Sequence, residues 1–151
     1  MSFLNELINS ENDPVLREEL QERVDIVAHK IKFIEQVPVV CLDLGNNPNL
    51  LLAEEMKAAG GMLETDVLGA VYIIYYQPNK TLTDLMREVP ALLDREWQAV
   101  KNGRVILLND DAERQRTPEN AITLIEDMAE MIHPGHFIFG HEGSRWIRFS
   151  V

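Results

Sequence analysis

Ala70-Val71-Tyr72-Ile73-Ile74-Tyr75-Tyr76 is an unbroken apolar run dense in β-branched and aromatic side chains, closed by Gln77-Pro78-Asn79. It predicts a strand within residues 67–76, because such side chains fit a pleated sheet and Pro with Asn punctuates one. Two further runs frame it. Val37-Pro38-Val39-Val40-Cys41-Leu42 is continuous rather than alternating, which predicts a strand covered on both faces, as in a parallel sheet. Pro38 is compatible with the beginning of that strand. Arg104 to Leu108 is the third run.

Between these runs lie helical patterns. Asp13-Pro14 places an N-cap and a first-turn proline, and Leu16, Leu20, Val24, Val27, Ile31 and Ile34 then follow one helical face. One amphipathic helix is expected over 14–35, preceded by a short polar helix or arm within 1–13. A helix over 49–59 should end at Gly60-Gly61. Residues 81–87 and 90–101 predict shorter helices, the second entered through Pro90. Thr117-Pro118 caps a helix whose buried stripe is Ala121, Ile125, Met128 and Ile132, and His133-Pro134-Gly135 ends it. Arg145 to Val151 alternates polar and apolar, the pattern of a strand with one exposed face at a sheet edge. Strands separated by helices imply right-handed crossovers, hence an α/β fold: a three-layer α/β/α sandwich on a mostly parallel sheet with a C-terminal edge strand. Residues 14–151 are expected to form one domain.

Composition bounds the function. At 151 residues the chain can bury a substantial core. Its net charge of −11 repels nucleic acid and anionic lipid, so neither is expected as a partner. A single cysteine, Cys41, rules out an internal disulfide and a multi-thiolate zinc site. No apolar run approaches a membrane span, so membrane insertion is not expected. The amino terminus has no basic start followed by a long apolar stretch, and the cytoplasm is the expected address of the sequence as given. No Gly-rich phosphate loop, nucleophile elbow or H-E-x-x-H motif is present, which argues against an enzyme and leaves a degenerate one as the remaining catalytic alternative.

Trp97-Gln98-Ala99-Val100-Lys101-Asn102-Gly103-Arg104-Val105-Ile106 resembles a phrase that precedes a late strand in the periplasmic binding proteins of iron-siderophore, haem and vitamin B12 importers. Ile132-His133-Pro134 is similar to the end of that family's final helix, Ala58-Ala59-Gly60-Gly61 to an earlier helix end, and residues 37–43 to the first strand of the C-terminal lobe. In order and spacing these phrases make residues 14–137 resemble that single lobe, with the helix at 14–35 in the place of the rigid connector. Leu68-Gly69-Ala70 stands where the family has Asn-Pro-Asp, and Gln115-Arg116-Thr117-Pro118 replaces a proline- and arginine-rich phrase. The resemblance implies a Rossmann-like lobe that binds rather than catalyses, with haem, cobalamin or a ferric chelate as the implied ligand class. Family members hold ligand between two lobes, so a homodimer could restore the second wall. The alternative is a structural or regulatory protein–protein interaction module without a small ligand.

In open α/β sheets, ligands sit beyond the carboxyl ends of the strands. That rim is expected to carry Asn46 and Asn47 after the first strand, Tyr76 and Asn79 after the second, and Asp110, Arg114 and Arg116 after the third. Amides, a phenol and guanidiniums could bind a polar ligand or a partner, although Asn and Asp also serve simply as turn formers. His133, His136 and His141 form a sequence-local imidazole cluster that could hold a metal ion, although the spacing matches no standard zinc site. Phe137, Phe139, Trp146 and Phe149 make the tail aromatic. They predict either a β-hairpin around residues 140–143 covering the sheet edge or a dimerisation patch.

Overall fold

The structure is a computed structural model that describes residues 2–110 and 117–150. Among the described residues, five strands form one sheet in the order β2-β1-β3-β4-β5. They are β1 (Val37–Leu42), β2 (Gly61–Leu63), β3 (Tyr72–Tyr75), β4 (Val105–Leu108) and β5 (Trp146–Phe149). The first four are parallel, and β5 runs antiparallel to β4 at the edge. The helices are α1 (Ser2–Asn9), α2 (Pro14–Ile31), α3 (Ala53–Ala58), α4 (Leu82–Glu88), α5 (Gln98–Lys101) and α6 (Pro118–Ile132). This is the mostly parallel α/β sandwich that the three apolar runs predict.

The continuous apolar runs are explained by burial on both sides. Along β3 and β4 every residue is buried, and alternate side chains serve two separate cores. Val39, Cys41, Ile74, Tyr76, Ile106 and Leu108 face α3 and α6. Val40, Leu42, Ile73, Tyr75, Val105 and Leu107 face α4 and α5. Each fully buried aliphatic side chain contributes roughly 1.5–3 kcal/mol, so the central strands dominate stability.

Helix α2 starts where the sequence says, with Asp13 Oδ1 accepting from the Val15 N–H at 3.0 Å. It is clamped to α6 by Arg23, whose Nη2 donates to Glu126 Oε1 at 2.6 Å and to Thr123 at 2.9 Å. That hydrogen bond to Glu126 raises the Arg23 pKa against the opposing cost of burial. The amino-terminal segment is helical and is not a free arm. Ile8 of α1 packs with Leu20, Val24 and Ile122 in a small core of its own.

Several boundaries differ from the sequence reading, most of them for a local reason. Strand β2 goes unannounced because Gly60-Gly61 reads only as a helix end. Gly61 is also the first residue of β2, and a Cβ there would run into Met56 Sδ. Helix α3 starts at residue 53 rather than 49, since Asn49 Oδ1 accepts from the Leu51 N–H and holds a turn there. The single helix expected over 90–101 is a 3-10 turn at Val89–Ala91 followed by the one-turn α5. Asp94 Oδ1 accepts from the Glu96 N–H between them and breaks the helix. Helix α2 ends at Ile31 rather than residue 35.

The aromatic tail is corrected most. Residues 137–139 form no strand and no hairpin arm. Phe137 and Trp146 are buried in the α6-side core, and Phe139 packs against it. Phe149 packs on the other face. Phe137 and Trp146 are thus core residues, while Phe139 and Phe149 are partly buried at the core margin. Ile138 is the exposed member of the segment, at 86%.

Candidate functional site

The strand order reverses at β1, with β2 on one side and β3 on the other. Chain leaving β1 crosses to the α3 face and chain leaving β3 crosses to the α4 face, so their carboxyl ends splay apart into a crevice. The two loops at this point are tightly specified. Asp43 Oδ1 accepts from the N–H groups of Gly45 and Asn47 at 2.8 and 2.9 Å. Asn46 takes a left-handed backbone (φ 58°). Its Nδ2 donates to the Leu92 carbonyl and its Oδ1 accepts from Tyr75 Oη, both at 2.8 Å. Burial pushes the Tyr75 phenol pKa up, so it stays a neutral donor. The Leu44 N–H donates to Gln77 Oε1 at 3.2 Å, joining the β1 loop to the β3 loop.

Beside this junction lies an open cleft of ≈ 260 Å³ between the β1 loop and the chain leaving β2. Leu42 and Trp97 supply apolar walls, Asn46 and Pro48 one lip, and Thr65 and Asp66 the other. Exposed Leu50, Leu51 and Leu68 follow closely in the same two loops, at 57, 62 and 71%. A cleft with apolar walls and a few polar groups on its lips suits a partly apolar ligand held by its edges. The Thr65–Asp66 side of the site is not legible in the sequence, because a strand as short as the three-residue β2 leaves no periodic signal. Trp97 stands out in the sequence only as part of the phrase at residues 97–106.

The other rim residues separate into distinct roles. Asn47 is exposed on the β1 loop and engages it through its backbone. Tyr76 is corrected from a rim residue to a core residue, 2% exposed on the α6 side of the sheet. Asn79 holds a left-handed turn (φ 65°), with its N–H donating to Asp110 Oδ2 at 3.0 Å. Asp110 is 2% exposed, so its carboxylate serves that turn rather than an open surface. Arg114 and Arg116 lie outside the described residues.

The three histidines do not converge on a metal site. His133 Nε2 lies 3.1 Å from the Ala59 carbonyl, tying the end of α6 to the end of α3. His141 Nδ1 instead lies 2.7 Å from Asp127 Oδ1 in the middle of α6. His136 is exposed. The His133 and His141 imidazoles are drawn to different partners, and among the described residues no group of three or more His, Cys, Asp or Glu is placed to hold a metal ion. Cys41 is buried between the sheet and the helices, and desolvation pushes its thiol up to about 12, far from the range of a reactive thiolate.

No protein-family model matches the chain, and no curated protein does either. Solved structures do. An ABC transporter substrate-binding protein from Listeria monocytogenes superposes with a TM-score of 0.62 at 17% identity, covering 78% of this chain and 55% of that one. An ABC transporter solute binding protein from Sulfurospirillum deleyianum gives 0.60 at 16% identity, covering 83% and 46%. CeuE of Helicobacter pylori, in a Ni-His complex, gives 0.56 at 17% identity, covering 80% and 45%. At such identities the likeness shows the fold. The chain spans about half the length of the solved proteins it matches, and its architecture is similar to one lobe of them.

Proposed function

We propose that this chain is a ligand-recognition lobe that does not catalyse a reaction and that takes its ligand in the cleft beside β1. The observation that carries this reading is the cleft itself. It lies at the carboxyl end of β1, beside the switch point of the sheet, and none of its lining residues comes from the segment after α6. Its volume of ≈ 260 Å³ lies below the ~300–1,000 Å³ of ordinary ligand pockets, as expected for one wall of a two-walled site. Exposed Leu50, Leu51 and Leu68 would lie under a second wall, and a second copy of the chain is the simplest supplier. The matched structures belong to solute-binding proteins, and the ligand class proposed by resemblance is a metal chelate: haem, cobalamin or a ferric siderophore complex.

A second reading rests on those same leucines. An apolar rim around a small cleft also suits a protein partner with no small ligand. The experiment that separates the two titrates the purified protein with haemin, cyanocobalamin and ferric enterobactin, following absorbance and melting temperature. A ligand that binds the folded state raises the melting temperature by mass action, and Trp97→Ala should abolish that rise. No spectral change and no stabilisation by any of the three would defeat the metal-chelate reading and favour the protein partner. Light scattering reports the second wall: a species that stays monomeric with ligand bound refutes a shared cleft.

A further inference from the structure

The opposite end of the sheet carries a second cleft of ≈ 300 Å³, formed where the strands begin and α6 ends. Its floor is apolar, with Val37 opening β1 and Ile132 closing α6. Tyr72 opens β3 beneath the guanidinium of Arg104, whose central carbon stands 5.5 Å from the ring centroid. His133 and His136 complete the wall. Not one of the lining residues is acidic, on a chain whose net charge is −11. Lys30 adds to this local balance, its Nζ donating to the His136 carbonyl at 3.0 Å.

Arg104 is the informative residue. Exposed arginines on an acidic protein usually find a carboxylate. Among the described residues no ion pair or side-chain hydrogen bond involves Arg104, and its guanidinium stacks on the Tyr72 ring. Stacking on a phenol orients the planar guanidinium and leaves its N–H edge available for a bidentate acceptor. His133 is committed elsewhere: its ring nitrogen is held by the Ala59 carbonyl. His136 is exposed and supplies an imidazole at the mouth.

We infer that this cleft is a binding site, separate from the rim, for a small organic anion: a phosphate monoester or carboxylate head on an apolar or aromatic body. Arg104 holds the head, His136 sits beside it, and the Val37–Ile132 floor takes the body. The volume corresponds to about ten waters, which limits the ligand to roughly the size of phenyl phosphate. Because the cleft is open to solvent, affinity is expected in the millimolar range or somewhat tighter.

The test uses amide chemical-shift mapping on the intact chain with phenyl phosphate as probe. Inorganic phosphate and benzyl alcohol serve as the head-only and body-only controls. Saturable shifts at Val37, Tyr72, Arg104 and His136 are expected with phenyl phosphate, with both controls binding more weakly. Arg104→Ala, a change at an exposed side chain, should weaken phenyl phosphate by about tenfold or more, the value of a charge-assisted contact. His136→Ala should weaken it less. The inference is overturned by any of three results: no shifts at these amides up to roughly 10 mM probe, shifts confined to the rim at Asn46 and Asp66, or benzyl alcohol binding as well as phenyl phosphate. Undiminished binding by Arg104→Ala with intact circular dichroism would also overturn it.

Discussion

Removing Arg145 should destabilise this protein more than removing Asp127, although the two form one ion pair. Asp127 lies in the middle of α6 with a fully buried side chain, whereas the Arg145 side chain retains 24% exposure. Arg145 Nε donates to Asp127 Oδ2 at 2.5 Å, and His141 Nδ1 approaches Oδ1 at 2.7 Å. Together they pin the segment before β5 onto α6. Truncating one partner of a buried pair costs ~3–5 kcal/mol, because the other charge is left uncompensated. Asp127→Ala leaves an arginine whose side chain stays partly exposed although its Nη2 is buried, so the cost should fall to about 2–3 kcal/mol. Arg145→Ala strands a carboxylate with no exposure and only the half-exposed His141 beside it, and the cost should reach about 3–4 kcal/mol. The double change Asp127→Leu with Arg145→Met leaves no stranded charge and should recover most of the loss. Urea unfolding followed by tryptophan fluorescence suits the measurement, since Trp146 is buried next to Arg145 in sequence. With a slope near ~2 kcal/mol/M, Arg145→Ala should lower the midpoint by roughly 1.5–2 M at unchanged slope. Equal costs below about 1 kcal/mol, or a double variant as unstable as the sum of the singles, would refute the reasoning.

Three further outcomes follow from the geometry. Gly60→Ala should cost about 3 kcal/mol, seen as a melting temperature lowered by roughly 6–12 °C. Gly60 holds φ 88°, and a Cβ there would stand 2.7 Å from His133 Nε2; a drop under about 2 °C would contradict this. Asn46→Ala should cost about 2–3 kcal/mol by releasing Tyr75 Oη and the Leu92 carbonyl together and placing Ala at positive φ, and it should also loosen one lip of the rim cleft. The pH dependence of His133 has a definite sign. Burial lowers its pKa in the folded state, the Ala59 bond and the His136 charge being smaller influences. The unfolded chain therefore binds the extra proton first, and stability falls as pH drops below ~6.5 toward the folded-state value. His133→Gln should flatten the stability–pH curve in that window relative to the parent, and an unchanged slope would remove His133 as a contributor.

The sequence by itself determined the layers of this protein. Val37–Leu42, the run at 70–76 and Arg104–Leu108 are apolar without alternation because both faces of each strand are covered, and that pattern is local enough to read from the chain. Asp13-Pro14 and Thr117-Pro118 fixed two helix starts for the same reason, since a cap and its first turn are neighbours in sequence. Only tertiary structure decided what those layers left open. Strand β2 is three residues long, too short for any periodicity, and exists because Gly61 can lie against Met56 while pairing with β1. His133 and His141 look like one cluster on paper, yet Ala59 and Asp127 draw them to different places. Phe137 and Trp146 look like a surface patch, yet α6 covers them. Both clefts are lined from segments far apart in the chain, and the chemistry of Arg104 depends on a ring supplied by another strand. Caps and strand burial are written in neighbouring residues; sites are written in distances across the fold, which no neighbouring residue encodes.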